Sequence, residues 1–435
     1  MQRRVSSFIF PFGLIFTNIL TGASPSPRRY DPLTTVRLRA ESEPRIWKDL
    51  ISSRVQNGTS QVRFDISTPW ATLTTDALLK LDSPQVTLIN ASVFDWWYFD
   101  AVSDTNPGDS FVVTFFTSSA TAFPFLDSGE SSILIAYMWA SFANGTVFSE
   151  FLPATFAIVA GGDGAAAPSL GNWSSAGFSW TAQKEDLSHY EINIASEKIQ
   201  VEGRFTLSSG LTPHLPCGIQ SETTDLEIAP HIGWASLTPD AVGTVDMNIQ
   251  GSKLWFQGPA YHDKNWSDRP FIESVQSWYW GHGRLGPYSI VWFSYLALND
   301  PTNTTYVSSY VAKDGHVLIS SCNSSILTVR PFVTSETTSD RYPPRAGDIP
   351  GGFKLEFDLG GSNSWLIVNV LVDTLVAGDR EYYMRWTGKM TGEILQVQSE
   401  KRQDACPATP SETRSVTGQS ELTGVAVFEQ FALLE

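Results

Sequence analysis

The sequence predicts an all-β protein, built as two β-barrel or sandwich domains packed together and ending in a short helix. Three observations carry that prediction. Short runs rich in β-branched and aromatic residues recur along the chain, with turn residues between them. Sustained 3.6-residue periodicity is nearly absent. Roughly 390 residues remain once the N-terminal segments are set aside, too many for one small barrel.

Arg3 and Arg4 precede an apolar run from Phe8 to Leu20, interrupted by Pro11 and Asn18, and Thr21-Gly22-Ala23 offers small residues for cleavage. Residues 1–23 therefore read as a signal peptide. The other reading, a membrane anchor, needs about 20 apolar residues, and no later segment is long enough to span a bilayer either. Residues 24–60 hold Pro25, Pro27, Pro32 and Pro44 and read as an irregular lead-in. An N-terminal β domain is then placed at 61–245 and a C-terminal β domain at 246–435, with the junction somewhere in 236–250.

Trp70 to Leu81 suits a short helix after Pro69. Phe111 to Phe116 reads as a strand. Ile133–Phe142 and Val147–Phe151 flank Asn144-Gly145, a hairpin signal that calls for positive φ at both central residues. Gly161 to Pro168 is a loop. Lys198 to Leu207 alternates apolar and polar, as a half-buried strand does. Strand-like runs follow at 275–280, 288–298, 305–311, 353–357, 365–372, 382–386 and 393–397. Val427 to Leu434 is the expected C-terminal helix.

Composition excludes several functions. The chain has 435 residues and a formal net charge of −16, from 29 Lys+Arg against 45 Asp+Glu. That leaves no basic excess for nucleic acid. Seven N-x-S/T sequons (Asn57, Asn90, Asn144, Asn172, Asn265, Asn303, Asn323) exceed the about three that chance gives here, which supports the secretory pathway, either secreted or vesicular. Cys217, Cys322 and Cys406 allow at most one disulfide and one free thiol, and no C-x-x-C is present. No nucleophile elbow, zinc-binding H-E-x-x-H or phosphate loop occurs. Gly281-His-Gly-Arg-Leu-Gly286 spells G-x-G-x-x-G, but Pro287 and a strand follow where a dinucleotide site needs a helix.

The unusual quantity is 15 Trp, with 26 Phe and 13 Tyr. Such a set can wall large apolar cavities with polar tips. Three polar–aromatic clusters stand out. In Phe94-Asp-Trp-Trp-Tyr-Phe-Asp-Ala101, a strand puts Asp95, Trp97 and Phe99 on one face and Trp96, Tyr98 and Asp100 on the other. The plain alternative is a core strand with an edge carboxylate. The loop Gly258–Pro270 gathers His262, Asp263, Lys264 and Asn265 between Tyr261 and Trp266, which suits the polar end of a pocket. It equally suits a solvated loop with a glycan on Asn265. Trp278, Trp280 and His282 share one strand face, where the histidine is either functional or structural.

These stretches resemble the hydroxyneurosporene synthase superfamily: the strand Asp95-Trp-Trp-Tyr-Phe-Asp-Ala101, the loop Gly258–Trp266 with G-x-x-Y-x-D-x-N-W, and Trp278-Tyr-Trp-Gly281. The resemblance runs from about residue 60 to the C-terminus. It implies two lipocalin-like β domains with the substrate pocket at or between them. Within the superfamily, the leader and sequons point to the fungal Diels-Alderases of polyketide–amino acid pathways rather than the carotenoid hydratases. Lys264 and Ser267 depart from the superfamily's D-H-N-W-G, which weakens the case for water addition to an alkene.

The resemblance implies an intramolecular [4+2] cycloaddition on an apolar polyene, a polyenyl pyrrolone closing to a cytochalasan-type isoindolone. It needs no cofactor and implies a functional link to a polyketide synthase–peptide synthetase. Trp97, Tyr261, Trp266, Trp278 and Trp280 are the expected substrate-binding walls. Asp95, Tyr98, His262, Asn265 and His282 are the expected catalytic groups, which donate to the dienophile carbonyl or orient the donor. No metal ligands are expected. On this reading Trp97→Ala degrades stereoselectivity. The alternatives are a hydratase or isomerase of a terpenoid or polyene, a secreted lipocalin-like carrier, and a glycan-binding protein with outward-facing Trp.

Overall fold

A computed structural model describes residues 54–56, 59–61, 81–86, 92–126, 133–160, 169–184, 186–220, 225–360, 364–378, 381–397, 414–416 and 421–435. Those residues form two curled, antiparallel half-barrel sheets, joined by one four-residue helix, Phe271–Ser274. The first sheet runs in the order Phe156–Ala160, Leu170–Ser174, Phe178–Ala182, His189–Ser196, Val201–Ser209, Ile232–Ile249, Ser252–Ser267, Phe94–Val102, Ser110–Ser118, Leu134–Ser141 and Val147–Pro153. The second runs His316–Ser321, Thr305–Lys313, Tyr288–Ala297, Val275–Leu285, Leu422–Ala432, Tyr383–Val397, Ser364–Leu371, Gly352–Asp358 and Leu327–Phe332. No helix among the described residues is long and apolar enough to cross a membrane.

The core has three main layers. One fills the hollow of the first sheet, with Trp97, Phe99, Phe115, Trp173 and Trp180. Another fills the hollow of the second, with Tyr279, Trp292, Phe353, Trp386 and Phe428. The third lies between the sheets, with Trp96, Tyr98, Trp234, Tyr261, Trp278 and Trp280. Strands next to the middle layer are therefore buried on both faces. All nine residues of Phe94–Val102 and all nine of Ser110–Ser118 are buried. This is why these runs are continuously apolar and aromatic where a one-sided sheet would alternate.

Several expectations change. The C-terminal residues are a strand, not a helix: Leu422–Ala432 pairs with Val275–Leu285 on one side and Tyr383–Val397 on the other. A central position gives its backbone two ladders, which a helix there would forfeit. The expected junction at 245/246 falls inside strand Ile232–Ile249, and the sheets change at residues 268–274 instead. The two sheets belong to one compact unit. The separate runs at 382–386 and 393–397 are one strand, Tyr383–Val397. Near the end of the lead-in, Arg54–Gln56 pairs with Thr59–Gln61 rather than being irregular.

At Asn144-Gly145 only Gly145 has positive φ, at 83°. The hairpin is longer than expected: Gly145 N–H donates to Phe142 and Phe142 N–H to Thr146, so the left-handed residue closes a wider turn. The signal peptide, the helix at 70–81 apart from Leu81, the loop at 161–168, Cys406, Asn57 and Asn90 lie outside the described residues.

The sheets are tied at one edge. His214–Leu215 and Gly218–Ile219 form a small flap paired to the first sheet. Cys217 of that flap is disulfide-bonded to Cys322, at the end of strand His316–Ser321 in the second sheet. His214 lies 2.7 Å from Ser320 Oγ and 2.9 Å from Ser308 Oγ through its two ring nitrogens. Burial pushes His214 down to about 3, so it makes these bonds as a neutral ring.

Candidate active site

Two strands, Phe94–Val102 and Ser252–Ser267, run side by side, with Trp97 opposite Lys264 and Tyr98 opposite Asp263. Cross-strand partners share a face and successive residues alternate. The two motifs therefore send one set of side chains into the hollow of the first sheet and the other between the sheets.

The inward set is Asp95, Trp97, His262, Lys264 and Trp266. Lys264 Nζ is 2.8 Å from Asp95 Oδ1 and 3.1 Å from the Ser83 carbonyl, and it stands 3.5 Å over the Trp97 ring. Gln85 N–H donates to Asp95 Oδ2 at 2.8 Å. Burial pushes Asp95 up and Lys264 down, each opposed by the other's charge. Asp82 receives Tyr190 OH at 2.7 Å on one oxygen and meets His262 Nε2 at 3.2 Å on the other, while its carbonyl accepts from Trp97 Nε1 at 2.9 Å. His262 Nδ1 lies 2.8 Å from the Tyr98 carbonyl, which can only accept, so that nitrogen carries a proton. The His262 ring stacks on Phe99 at 3.8 Å. Trp266 sits against Gly233, where a Cβ would come within 2.0 Å of the indole. These five side chains are closed off from solvent.

The outward set meets the second sheet. Tyr98 donates to Asp100 Oδ2, and His282 Nε2 lies 2.7 Å from Asp100 Oδ1. The His282 ring stacks on Tyr261 at 4.6 Å. Trp280 packs edge-on to Tyr98 at 5.4 Å and Tyr261 at 5.2 Å, and Trp278 packs on Phe293 at 4.5 Å. Asp263 Oδ2 accepts from Trp234 Nε1 at 2.9 Å and Tyr261 OH at 3.1 Å. Among the described residues it has no cationic partner. Burial, which those two bonds oppose and Glu429 and Asp100 reinforce, pushes Asp263 up to about 8. Near neutral pH it is mainly a carboxylic acid, with Oδ2 already taken as acceptor and Oδ1 left for the proton.

Asn265 stands opposite Trp234 and Trp96 on this same face, and its Nδ2 has no hydrogen-bond partner among the described residues. The indole N–H groups of Trp278 and Trp280 are also outside hydrogen-bond geometry, although they lie near enough to Glu429 and Tyr261 respectively to act on them. Burial with an unmade donor is costly, at about 1–3 kcal/mol each, so a cluster of them marks a place for a ligand's acceptors.

The structure thus brings together six of the ten expected residues: Tyr98, Tyr261, Asn265, Trp278, Trp280 and His282. It places the other four, Asp95, Trp97, His262 and Trp266, on the opposite side of the first sheet. The segment expected to be a loop from Gly258 is strand through Ser267. Asn265, at 2 % exposure, is no acceptor for a glycan. Asp100, Asp263 and Trp234 were not assigned roles, although the period-two pattern already put Asp100 with Tyr98; Asp263 shares a face with Tyr261 only because the expected loop is a strand. Arg385 and Glu429 were also missed. They stand opposite each other on neighbouring strands, a register that no local pattern reveals. Among the described residues no three His, Cys, Asp or Glu side chains converge as a metal site.

The Diels-Alderase-like family profile matches residues 60–358. The quinolone epoxide rearrangement protein asqO of Emericella nidulans is 36% identical over 296 residues, covering 67% of this chain and 76% of that protein. The quinolone epoxide rearrangement protein penF of Penicillium thymicola is 32% identical over 319 residues, covering 72% and 84%. Among solved structures, CghA with Sch210972 superposes with a TM-score of 0.66 at 16% identity, over 87% of this chain and 99% of that one, which is a likeness of fold.

Proposed function

Because the chain belongs to the Diels-Alderase-like family, we propose that it is an enzyme of secondary metabolism that closes a ring within one substrate molecule, in the space between its two sheets. The observation that carries this is Asp263, a buried carboxyl beside a wall of Trp and Tyr, bonded to Trp234 and Tyr261 without a cation among the described residues, which burial pushes up to about 8. A neutral acid in a low-dielectric cavity can pass its proton to an oxygen as negative charge grows there. That chemistry suits an epoxide on a planar amide ring, as in the quinolone epoxides for which two relatives are named. Asp263 donates to the epoxide oxygen while the C–O bond breaks. A hydroxyl or double bond of the same molecule forms the new ring bond, and the proton it gives up returns to Asp263. Substrate and product are isomers.

A second reading is the [4+2] closure of a polyenyl pyrrolone to a cytochalasan-type isoindolone. The family's description and the rigid aromatic walls favour it, since holding a near-attack fold is most of what such a reaction needs. The same donors would then polarise the dienophile carbonyl. The test is incubation with a quinolone epoxide and, separately, with a linear polyenyl pyrrolone. Many turnovers of the epoxide to an isomer sustain the first reading. Turnover of the pyrrolone alone moves the protein to the second. Binding of either without product makes it a carrier.

Residence in the secretory pathway belongs to the same proposal, with the substrate's precursor supplied by a polyketide synthase–peptide synthetase. The Cys217–Cys322 disulfide favours an oxidising compartment, and Asn144, Asn172, Asn303 and Asn323 are all exposed. Glycosidase treatment of protein from a eukaryotic host should reduce its mass at those four asparagines and not at Asn265. Unmodified protein would remove this part.

A further inference from the structure

We propose that Arg385 anchors the substrate through a neutral carbonyl group, and that this contact rather than charge attraction selects the substrate's head. The inference rests on the reading that the space between the sheets is the substrate site. Arg385 lies on strand Tyr383–Val397 opposite Glu429, and its side chain points away from the hollow filled by its neighbour Trp386. Its guanidinium sits 4.4 Å over the Tyr98 ring and so reaches across to the first sheet.

The pairing with Glu429 is one-sided. Nε at 3.0 Å and Nη2 at 2.5 Å both end on a single oxygen, Oε2, which also takes Tyr383 OH at 3.3 Å. A fork that used both carboxylate oxygens would leave less to spare. Here Nη1 makes no hydrogen bond to any described residue, although the side chain is only 10 % exposed. A guanidinium has five N–H groups, and one that is largely buried but keeps an unpaired edge open to solvent can take an acceptor there.

The surroundings decide the ligand's charge. Glu429 holds Arg385 protonated, and the carboxyls of Glu429, Asp100 and Asp263 already crowd this space, where the first two push Asp263 up. An added anion would meet that repulsion in a low dielectric. A lactam or ketone oxygen would take the free Nη1 edge without it, and would leave the rest of a flat ring on the Tyr98 and Trp280 faces.

Three small probes test this by calorimetry: 2-quinolone, which carries a neutral lactam, quinoline, which lacks the oxygen, and quinoline-4-carboxylate, an anion of the same shape. The expected order is 2-quinolone at least 10-fold tighter than quinoline, with the carboxylate no tighter than quinoline. Arg385→Met should erase the 2-quinolone advantage and leave quinoline unchanged, and Arg385→Lys should restore part of it. Because Arg385→Met strands a buried Glu429, the same comparison is made between Arg385→Met/Glu429→Gln and Glu429→Gln alone. Tighter binding of the carboxylate, or an equal loss for 2-quinolone and quinoline, overturns the anchor. These outcomes are independent of turnover. An arginine-dependent lactam preference in a protein that rearranges no epoxide sinks the reaction and keeps the anchor. Epoxide turnover with no such preference does the reverse.

Discussion

Two faces of the same pair of strands carry polar clusters of similar composition, and they differ in how their charged groups are paired. Inside the first sheet, Asp95 has Lys264 and Gln85, Asp82 has His262 and Tyr190, and Lys264 has an aromatic ring beneath it. Between the sheets, and among the described residues, Asp263 has no cation, Asn265 Nδ2 has no acceptor and Arg385 keeps one edge free. Buried polar groups that are fully paired hold a fold together. Those left unpaired in a native structure need another explanation, and a substrate is the simplest one here. Proximity in sequence to Trp97 or His262 therefore says little about sharing their role.

The contrast breaks most visibly under Lys264→Met and Asp263→Asn. Removing Lys264 leaves Asp95 buried without its counter-charge, which costs about 3–5 kcal/mol. Urea unfolding should show that loss. Asp263→Asn keeps an acceptor for Trp234 and Tyr261 and cannot ionise in the unfolded chain, so at neutral pH the variant should be at least as stable as wild type while turnover falls about 100- to 10,000-fold. A stable, inactive Lys264→Met beside an active Asp263→Asn would invert the assignment of the two faces.

Much of this was legible in the sequence, and the gaps have physical causes. The all-β architecture and most strands followed from β-rich runs and turn residues. The alternation of Asp95, Trp97 and Phe99 against Trp96, Tyr98 and Asp100 was read correctly, because period two is a local property. Which face is the site was not legible. That depends on where the second sheet packs, and the partners Arg385 and Glu429 come from strands more than 100 residues further on. The strand through Gly258–Ser267 was mistaken for a loop because its His, Asp, Lys and Asn look solvated, whereas burial on both faces satisfies most of them with side chains from elsewhere. The C-terminal strand failed for a similar reason, since its apolar run has no alternation once both faces are covered.

A pH series sharpens the comparison with a smaller effect. Folded Asp263 keeps its proton to about pH 8, while the unfolded carboxyl releases it near 4. Between those values the folded state binds more protons, so this group's contribution is full below about pH 4 and is lost as pH rises through 8. His214 acts in the opposite sense. Held neutral down to about 3, it supports the fold above about 6.5 and withdraws that support as pH falls. From pH 6.5 to 8 only the Asp263 slope remains of the two, approaching about 1.4 kcal/mol per pH unit at most. The stability of wild type relative to Asp263→Asn should decline across that window, and activity should fall with it. Parallel curves for the two proteins would mean that Asp263 is ionised in the fold and cannot be the acid.

The smallest effect is the most specific one. Trp97→Phe and Trp280→Phe remove the same atoms from opposite faces. Trp97 Nε1 donates to the Asp82 carbonyl and its ring lies under Lys264, so its loss unsettles the paired cluster and should cost about 1–3 kcal/mol of stability. With no surface between the sheets it cannot steer a substrate there, and product ratios should stay as they are. This reverses the expectation that Trp97 shapes selectivity. Trp280 touches Tyr98, Tyr261 and His282, with its N–H outside hydrogen-bond geometry, so shrinking it opens room in the layer proposed to hold the substrate. A shift of about 1.4 kcal/mol between two competing transition states is a tenfold change in their product ratio. Chromatography of the isomers resolves far less than that, so even a few tenths of a kcal/mol at Trp280 should be visible. Should Trp97→Phe change the ratio and Trp280→Phe leave it alone, the substrate lies inside the first sheet, and the face whose charges are paired is the reactive one after all.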